Sequence, residues 1–144
     1  MAKADALQRK ILEQARSPTV TQGQAIIEKL SGIRAQIENL CDRMLGELGG
    51  VVSKLGGPVP HVDMHQALFS FETGFLYSRD SRAQIMLGFL MRHLGTEIVV
   101  SIYSNRILQA DIRVPVSTAV LTPDDLEIIR EAYLTKLAAV PGAV

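Results

Sequence analysis

Residues 21–55 read TQGQAIIEKLSGIRAQIENLCDRMLGELGGVVSKL, and this stretch decides the fold that we predict for the chain. Its large apolar residues recur at spacings of three and four, which is the periodicity of one face of an α-helix. The members of this apolar stripe are Ile26, Leu30, Ile33, Ile37, Leu40, Met44, Leu48, Val51 and Leu55. Thr21 and Gln24 have the spacing of a capping box, in which two side chains satisfy free backbone N–H groups at a helix start. The stretch is therefore predicted to be one long amphipathic helix.

The length of this helix predicts a partner. A helix over 21–55 would be about 50 Å long, whereas a domain of this size has a radius of gyration of about 15 Å. The first spacings of the stripe are those of a coiled-coil heptad, and a stutter follows between Met44 and Leu48. We therefore expect the stripe to form a homodimer interface, unless the helix breaks at Gly46 or at Gly49-Gly50.

The rest of the chain is predicted to contain both helices and strands. In chain order we expect a helix at 3–16, the helix at 21–55, a hairpin at 65–78 with its turn at 72–74, a helix at 81–94, a hairpin with strands 97–103 and 107–116, and a helix capped by Thr122. A helix over 62–78 is the alternative to the first hairpin. The predicted class is α+β, in the order α-α-β-β-α-β-β-α, with a small antiparallel sheet that carries helices on one face.

The run of Gly and Pro at 56–60 divides this plan into two parts. Residues 1–55 would be a helical arm, and residues 61–144 would be the α+β core. The chain has 144 residues, which fits one domain of ordinary size. We therefore expect the arm and the core to form one structural unit.

Composition argues against several classes of function. Fifteen basic residues balance 15 acidic ones and aromatic residues make up 5%, so the chain lacks the basic, aromatic-rich surface typical of nucleic-acid-binding proteins. Residues 1–16 lack the apolar core of a signal peptide, and the apolar run at 85–91 is too short to span a bilayer. The single cysteine, Cys41, excludes an internal disulfide and favours a reducing compartment. We therefore expect a cytoplasmic protein with no cofactor and with neither nucleic acid nor membrane as partner.

The segment at 61–65 contains a possible metal site, formed by His61, Asp63 and His65. Residues at i, i+2 and i+4 share one face of a strand, and i and i+4 also meet on a helix. Two imidazoles and a carboxylate are suitable ligands for zinc or iron. The alternative is an ordinary solvated strand start, which we favour because no further ligand cluster lies elsewhere in the sequence.

A second candidate lies at 78–82, where Arg79, Ser81 and Arg82 would stand at the start of the predicted 81–94 helix. A helix N-terminus with arginines can bind phosphate or carboxylate, although simple capping with exposed arginines explains the same residues. Neither candidate site is as strong an indication of function as the apolar stripe at 26–55. The sequence thus favours a non-enzymatic interaction protein, such as a homodimeric adaptor, small chaperone or assembly subunit. A metal- or small-anion-binding domain is the alternative.

Overall fold

The computed structural model describes residues 2–78 and 80–140, with side chains described at 23–78 and 83–140. The described elements, in chain order, are α1 Ala2–Leu48, β1 Val52–Gly56, β2 His61–Asp63, β3 Leu68–Tyr77, β4 Asp80–Leu94, β5 Glu97–Ser104, β6 Ile107–Pro115 and α2 Pro123–Ala138. The six strands form one antiparallel sheet in the order β1-β3-β4-β5-β6, and β2 pairs with β3. The α+β class and the antiparallel sheet are therefore confirmed, and the predicted long N-terminal helix and order of elements agree with the structure in part.

Helix α1 replaces the two helices predicted at 3–16 and 21–55. The predicted interruption at Ser17-Pro18 is absent from α1, because a proline weakens one turn of a long helix without removing the turns on either side. The helix ends at Leu48, where Gly49 and Gly50 take φ angles of +37° and +78°. Glycine adopts such angles without a steric penalty, so the chain turns there and the last predicted helical residues become β1.

The predicted helix at 81–94 is wrong, because this segment is strand β4. The residues Ile85, Leu87, Phe89 and Met91 are buried, and the residues between them are half-buried. A strand with both faces at least partly covered is apolar without interruption, and hydrophobic periodicity alone cannot distinguish it from a buried helix. Pairing with β3 on one side and β5 on the other determines the strand.

The hairpin predicted at 65–78 is also wrong, because β3 runs straight through the predicted turn at 72–74. Gly74 pairs with Met86 in the middle of the β3–β4 ladder. A Cβ atom at Gly74 would overlap the carbonyl oxygen of Ile85. The glycine is thus required by the close approach of β4.

The last two predicted features are confirmed. β5 and β6 form the expected hairpin, and α2 starts after Thr122 with Pro123 at its first position. The Thr122 hydroxyl oxygen accepts a hydrogen bond from the Asp125 N–H (3.1 Å), and the Asp125 carboxylate accepts one from the Thr122 N–H (2.9 Å). This capping box determines where α2 begins.

Both helices pack on one face of the sheet and share a single apolar core with it. Tyr133 of α2 makes an edge-to-face contact with Phe75 of β3 at a centroid distance of 5.4 Å. Lys54 of β1 donates to the carboxylate of Glu38 on α1 (3.0 Å). The opposite face of the sheet carries no helix among the described residues. In the same part of the chain, no helix is both long and apolar enough to cross a membrane.

Candidate functional site

The predicted interface stripe lies mostly inside the protein. Of its eight members from Ile26 to Val51, five are buried in the chain's own core; these are Leu30, Ile33, Ile37, Leu40 and Met44. Ile26 and Leu48 are half-buried, and Val51 is exposed. The helix α1 packs against β1, β3 and α2, so elements of the same chain cover the part of the stripe for which the helix length had suggested a partner. Homodimerisation through the 21–55 segment stays a prediction.

The three residues of the possible metal site have different environments. The Asp63 carboxylate accepts hydrogen bonds from the backbone N–H groups of His65 (3.0 Å) and Gln66 (3.1 Å), and so closes the turn between β2 and β3. His61 lies on the sheet face that carries no helix, and His65 lies in the turn. Among the described residues, no group of three or more His, Cys, Asp or Glu side chains could hold a metal ion.

The possible anion site falls largely outside the described side chains. Arg79 is not described, and the side chains of Ser81 and Arg82 are not described either. β4 begins at Asp80, so the helix N-terminus on which this prediction depended is not present.

A half-open cavity of ≈ 680 Å³ lies on the face of the sheet that carries no helix. Its floor is formed by β3 and β4, and its walls come from the segment before β2, the β5–β6 turn and the end of α2. The polar lining residues are His61, Ser70, Glu72, Gln84, Tyr103, Asn105, Arg106 and Lys136. The remaining lining residues are Pro58, Val59, Phe71, Met86, Leu87, Gly88, Phe89 and Leu90. The cavity thus combines an apolar floor with polar groups from five separate parts of the chain.

The unequal lengths of neighbouring strands create this cavity. β5 pairs with β4 only from Gly88 to Leu94, so β4 continues beyond β5, and no described strand pairs with this part of its edge. Lys136 reaches this edge from α2, and its Nζ atom donates a 2.7 Å hydrogen bond to the carbonyl oxygen of Met86. A lysine from the helix-covered face therefore brings its ammonium group to the cavity on the other face.

The electrostatic environment of Lys136 is unusual for a surface lysine. Partial burial lowers the pKa of Lys136 from its ordinary value of 10.5, and the nearby carboxylate of Glu72 opposes this shift. Among the described residues, no carboxylate forms a salt bridge with Lys136. The ammonium group is thus partly desolvated and has no direct counter-ion among the residues whose side chains are described.

The β5–β6 turn brings a second cation to the cavity in a strained conformation. Asn105 and Arg106 have φ angles of +52° and +67°, as in a type I′ turn, where the second position strongly favours glycine. Arginine in this conformation costs roughly 1 kcal/mol or more because its Cβ crowds the backbone. Strain of this kind is often found at functional sites.

Two groups capable of nucleophilic chemistry do not form an activated site. Cys41 is fully buried in the core, and burial raises the pKa of its thiol while a hydrogen bond with Tyr133 opposes this shift. His61 and Ser70 are direct cross-strand neighbours at the cavity, but no hydrogen bond between their side chains is found among the described residues. A catalytic serine would need such a bond to its base.

No local pattern in the sequence identifies this cavity, because its residues come from positions as far apart as Pro58 and Lys136. Only the pair Asn105-Arg106 carried a local signal, since an arginine replaces the glycine that usually follows asparagine in a two-residue turn. The sequence did indicate His61, but as a possible metal ligand and not as a lining residue of a cavity. No family model, no curated protein and no solved structure matches this chain.

Proposed function

We propose that this chain is a non-enzymatic binding domain that holds a small organic anion with an apolar body in the cavity above β3 and β4. The observation that carries the proposal is the ammonium group of Lys136, which lies at the cavity without a salt-bridge partner among the described residues. The volume of ≈ 680 Å³ falls within the range of about 300–1,000 Å³ that is usual for small-molecule sites.

The charges around the cavity favour an anion. Lys136 and Arg106 both line it, and Glu72 is the one described acidic lining residue, so the charged lining groups have a net positive charge. Of the three N–H donors of Lys136, one is used by the Met86 carbonyl. A carboxylate that bound here would accept from the remaining donors.

The apolar floor favours a ligand with a hydrocarbon part. Met86 and Leu90 are half-buried on the open face, and Val59 is 90% exposed beside them. Covering these side chains with an alkyl chain would remove apolar surface from water, which stabilises a complex by about 25 cal/mol per Å². Tyr103 also lines the cavity, and its side chain carries a hydroxyl group that can donate a hydrogen bond.

Titration with octanoate, followed by NMR of the backbone amides, tests this proposal. Octanoate should shift the resonances of Met86, Gly88 and Tyr103, and octanol, with the same chain and no charge, should bind at least tenfold more weakly. Lys136→Met should reduce octanoate affinity and leave octanol affinity nearly unchanged. Equal binding of octanoate and octanol, or no shifts at the cavity, would contradict the proposal.

A separate proposal, which comes from the sequence alone, is association through the 21–55 stripe. The protein would then act as an adaptor, a small chaperone or an assembly subunit. Because most of the stripe is buried against the sheet, its members that a partner can reach without unfolding are Ile26 and Leu48 of α1 and Val51 in the turn after it. A measurement of solution mass with Val51→Asp, compared with wild type, tests whether this end of the stripe contributes to an interface.

A further inference from the structure

Strand β6 is a long sheet edge. It pairs with β5 on one side, and no described strand pairs with its other side. An edge of 9 residues presents unpaired backbone donors and acceptors, which can template another strand unless charges or prolines prevent it. The arrangement of charges on this edge indicates which strand fits.

The hydrogen-bonding phase of β6 identifies the backbone groups that point outward. Val116 N–H donates to the Thr96 carbonyl oxygen at 2.9 Å, and the same register pairs Ile112 with Val100. Hydrogen-bonded and non-hydrogen-bonded pairs alternate along an antiparallel ladder, so Ile112 is bonded to β5. The N–H and C=O groups of Asp111 and Arg113 therefore point away from the sheet.

The side chains of these two outward-bonding residues carry opposite charges. Asp111 and Arg113 lie symmetrically on either side of Ile112, on the face of the sheet opposite the helices. We propose that a second copy of this chain pairs with β6, antiparallel, with the two-fold axis at Ile112. In this register Asp111 faces Arg113 of the second copy, and Arg113 faces Asp111 of the second copy.

Two other antiparallel registers would place Asp111 or Arg113 opposite the same residue of the second copy, and both are unfavourable. A two-fold axis at Asp111 would place two aspartates opposite each other, and an axis at Arg113 would place two arginines opposite each other. Like charges directly opposite one another destabilise a strand pair. Charge complementarity thus selects the Ile112 register, in which four central backbone hydrogen bonds form between the two copies.

The remaining contacts agree with this register. On the helix-packed face, Ala110 would lie opposite Val114 of the second copy, so that apolar residues meet. Asp111 accepts a 2.6 Å hydrogen bond from the hydroxyl of Ser101, and Arg113 forms a 3.6 Å salt bridge with Glu97 while its side chain stays 70% exposed. Arg113 is therefore accessible to a partner. The dimer should be weak and salt-sensitive, because the interface is small and its charges are exposed. This proposal is independent of the ligand-binding proposal.

Sedimentation analysis of two charge reversals tests the proposal. Wild type should dimerise as its concentration rises, and Arg113→Asp or Asp111→Arg alone should each weaken dimerisation at least tenfold. An equimolar mixture of the two variants should form a heterodimer, since every opposed pair is then Asp with Arg. A wild-type monomer at all concentrations, dimers that survive both reversals, or a mixture that does not associate would each overturn the proposal.

Hydrogen exchange on the wild-type chain provides a test that needs no variant. The amides of Asp111 and Arg113 should exchange rapidly in dilute protein and become at least tenfold slower in concentrated protein. The Ile112 amide, already bonded to β5, should be protected at both concentrations and serves as the internal control. Exchange of the Asp111 and Arg113 amides that is independent of concentration would overturn the proposal even if the variants failed to fold.

Discussion

Gln36 of α1 and Leu121, just before α2, exchange two hydrogen bonds. The side-chain Nε2 of Gln36 donates to the Leu121 carbonyl oxygen (3.2 Å), and its Oε1 accepts from the Leu121 N–H (2.8 Å). Leu121 is 2% exposed, so its backbone groups have little access to water. The amide of Gln36 thus replaces a strand partner for the segment that leads into α2.

Replacement of Gln36 by leucine should destabilise the fold by about 1–3 kcal/mol, because it leaves two poorly solvated backbone groups without partners. Urea denaturation followed by circular dichroism measures this change. Gln24→Leu is the matched control, since Gln24 lies on the same helix and is exposed. Equal stability of the two variants would show that the Gln36 bonds contribute nothing.

Gly74→Ala should lower the free energy of unfolding by at least about 2 kcal/mol, because the new methyl group would force β3 and β4 apart. Gly88→Ala is the control on the neighbouring strand, since a Cβ there would meet its nearest neighbour at 3.7 Å, an ordinary contact. We expect the control to change stability by less than about 1 kcal/mol. Comparable losses in both variants would argue against the close approach of Ile85 to Gly74.

Arg106→Gly should stabilise the protein by up to about 1 kcal/mol, because glycine adopts the φ angle of this turn without strain. The same change should weaken octanoate binding by removing one of the two cations at the cavity. Thermal unfolding and the octanoate titration together measure both effects. A variant that gains stability and keeps full affinity would remove Arg106 from the proposed site.

The affinity for octanoate should depend on pH, because Lys136 loses its positive charge as the pH rises. Its pKa is lowered from 10.5 by partial burial, so it loses its proton at a lower pH in the folded state than in the unfolded state. Octanoate affinity should therefore fall as the pH rises through this lowered pKa, and the fall should be absent in Lys136→Met. The free energy of unfolding should change in the opposite direction. Desolvation of the charged lysine lowers it at pH values below the folded pKa, and this loss disappears as the pH rises towards 10.5.

A wild-type affinity that stays constant up to pH 10.5 would contradict this prediction. Measurement of the Lys136 Nζ resonance in the free and octanoate-bound protein gives an independent test. An anion at this site should raise the pKa of Lys136, because a negative charge stabilises the protonated form.

Local interactions made part of the structure predictable from sequence. The apolar stripe of α1, the capping box of Thr122 and Asp125, and the alternation along β6 each depend on residues only a few positions apart. Such signals act before distant segments meet, so they determine the type of element. They also placed the end of α1 at Gly49-Gly50 as an alternative, because glycine there permits the positive φ angles that end a helix.

Tertiary structure decided what those elements pack against, and in two cases what they are. The apolar run at 85–91 suits a buried helix or a buried strand equally well, and only the ladders to β3 and β5 make it a strand. Gly74 looked like a turn residue, but the approach of Ile85 explains it. The cavity arises because β4 extends beyond β5 and α2 places Lys136 at the exposed edge. These contacts join residues far apart in sequence, and no local pattern encodes a distance between two such residues.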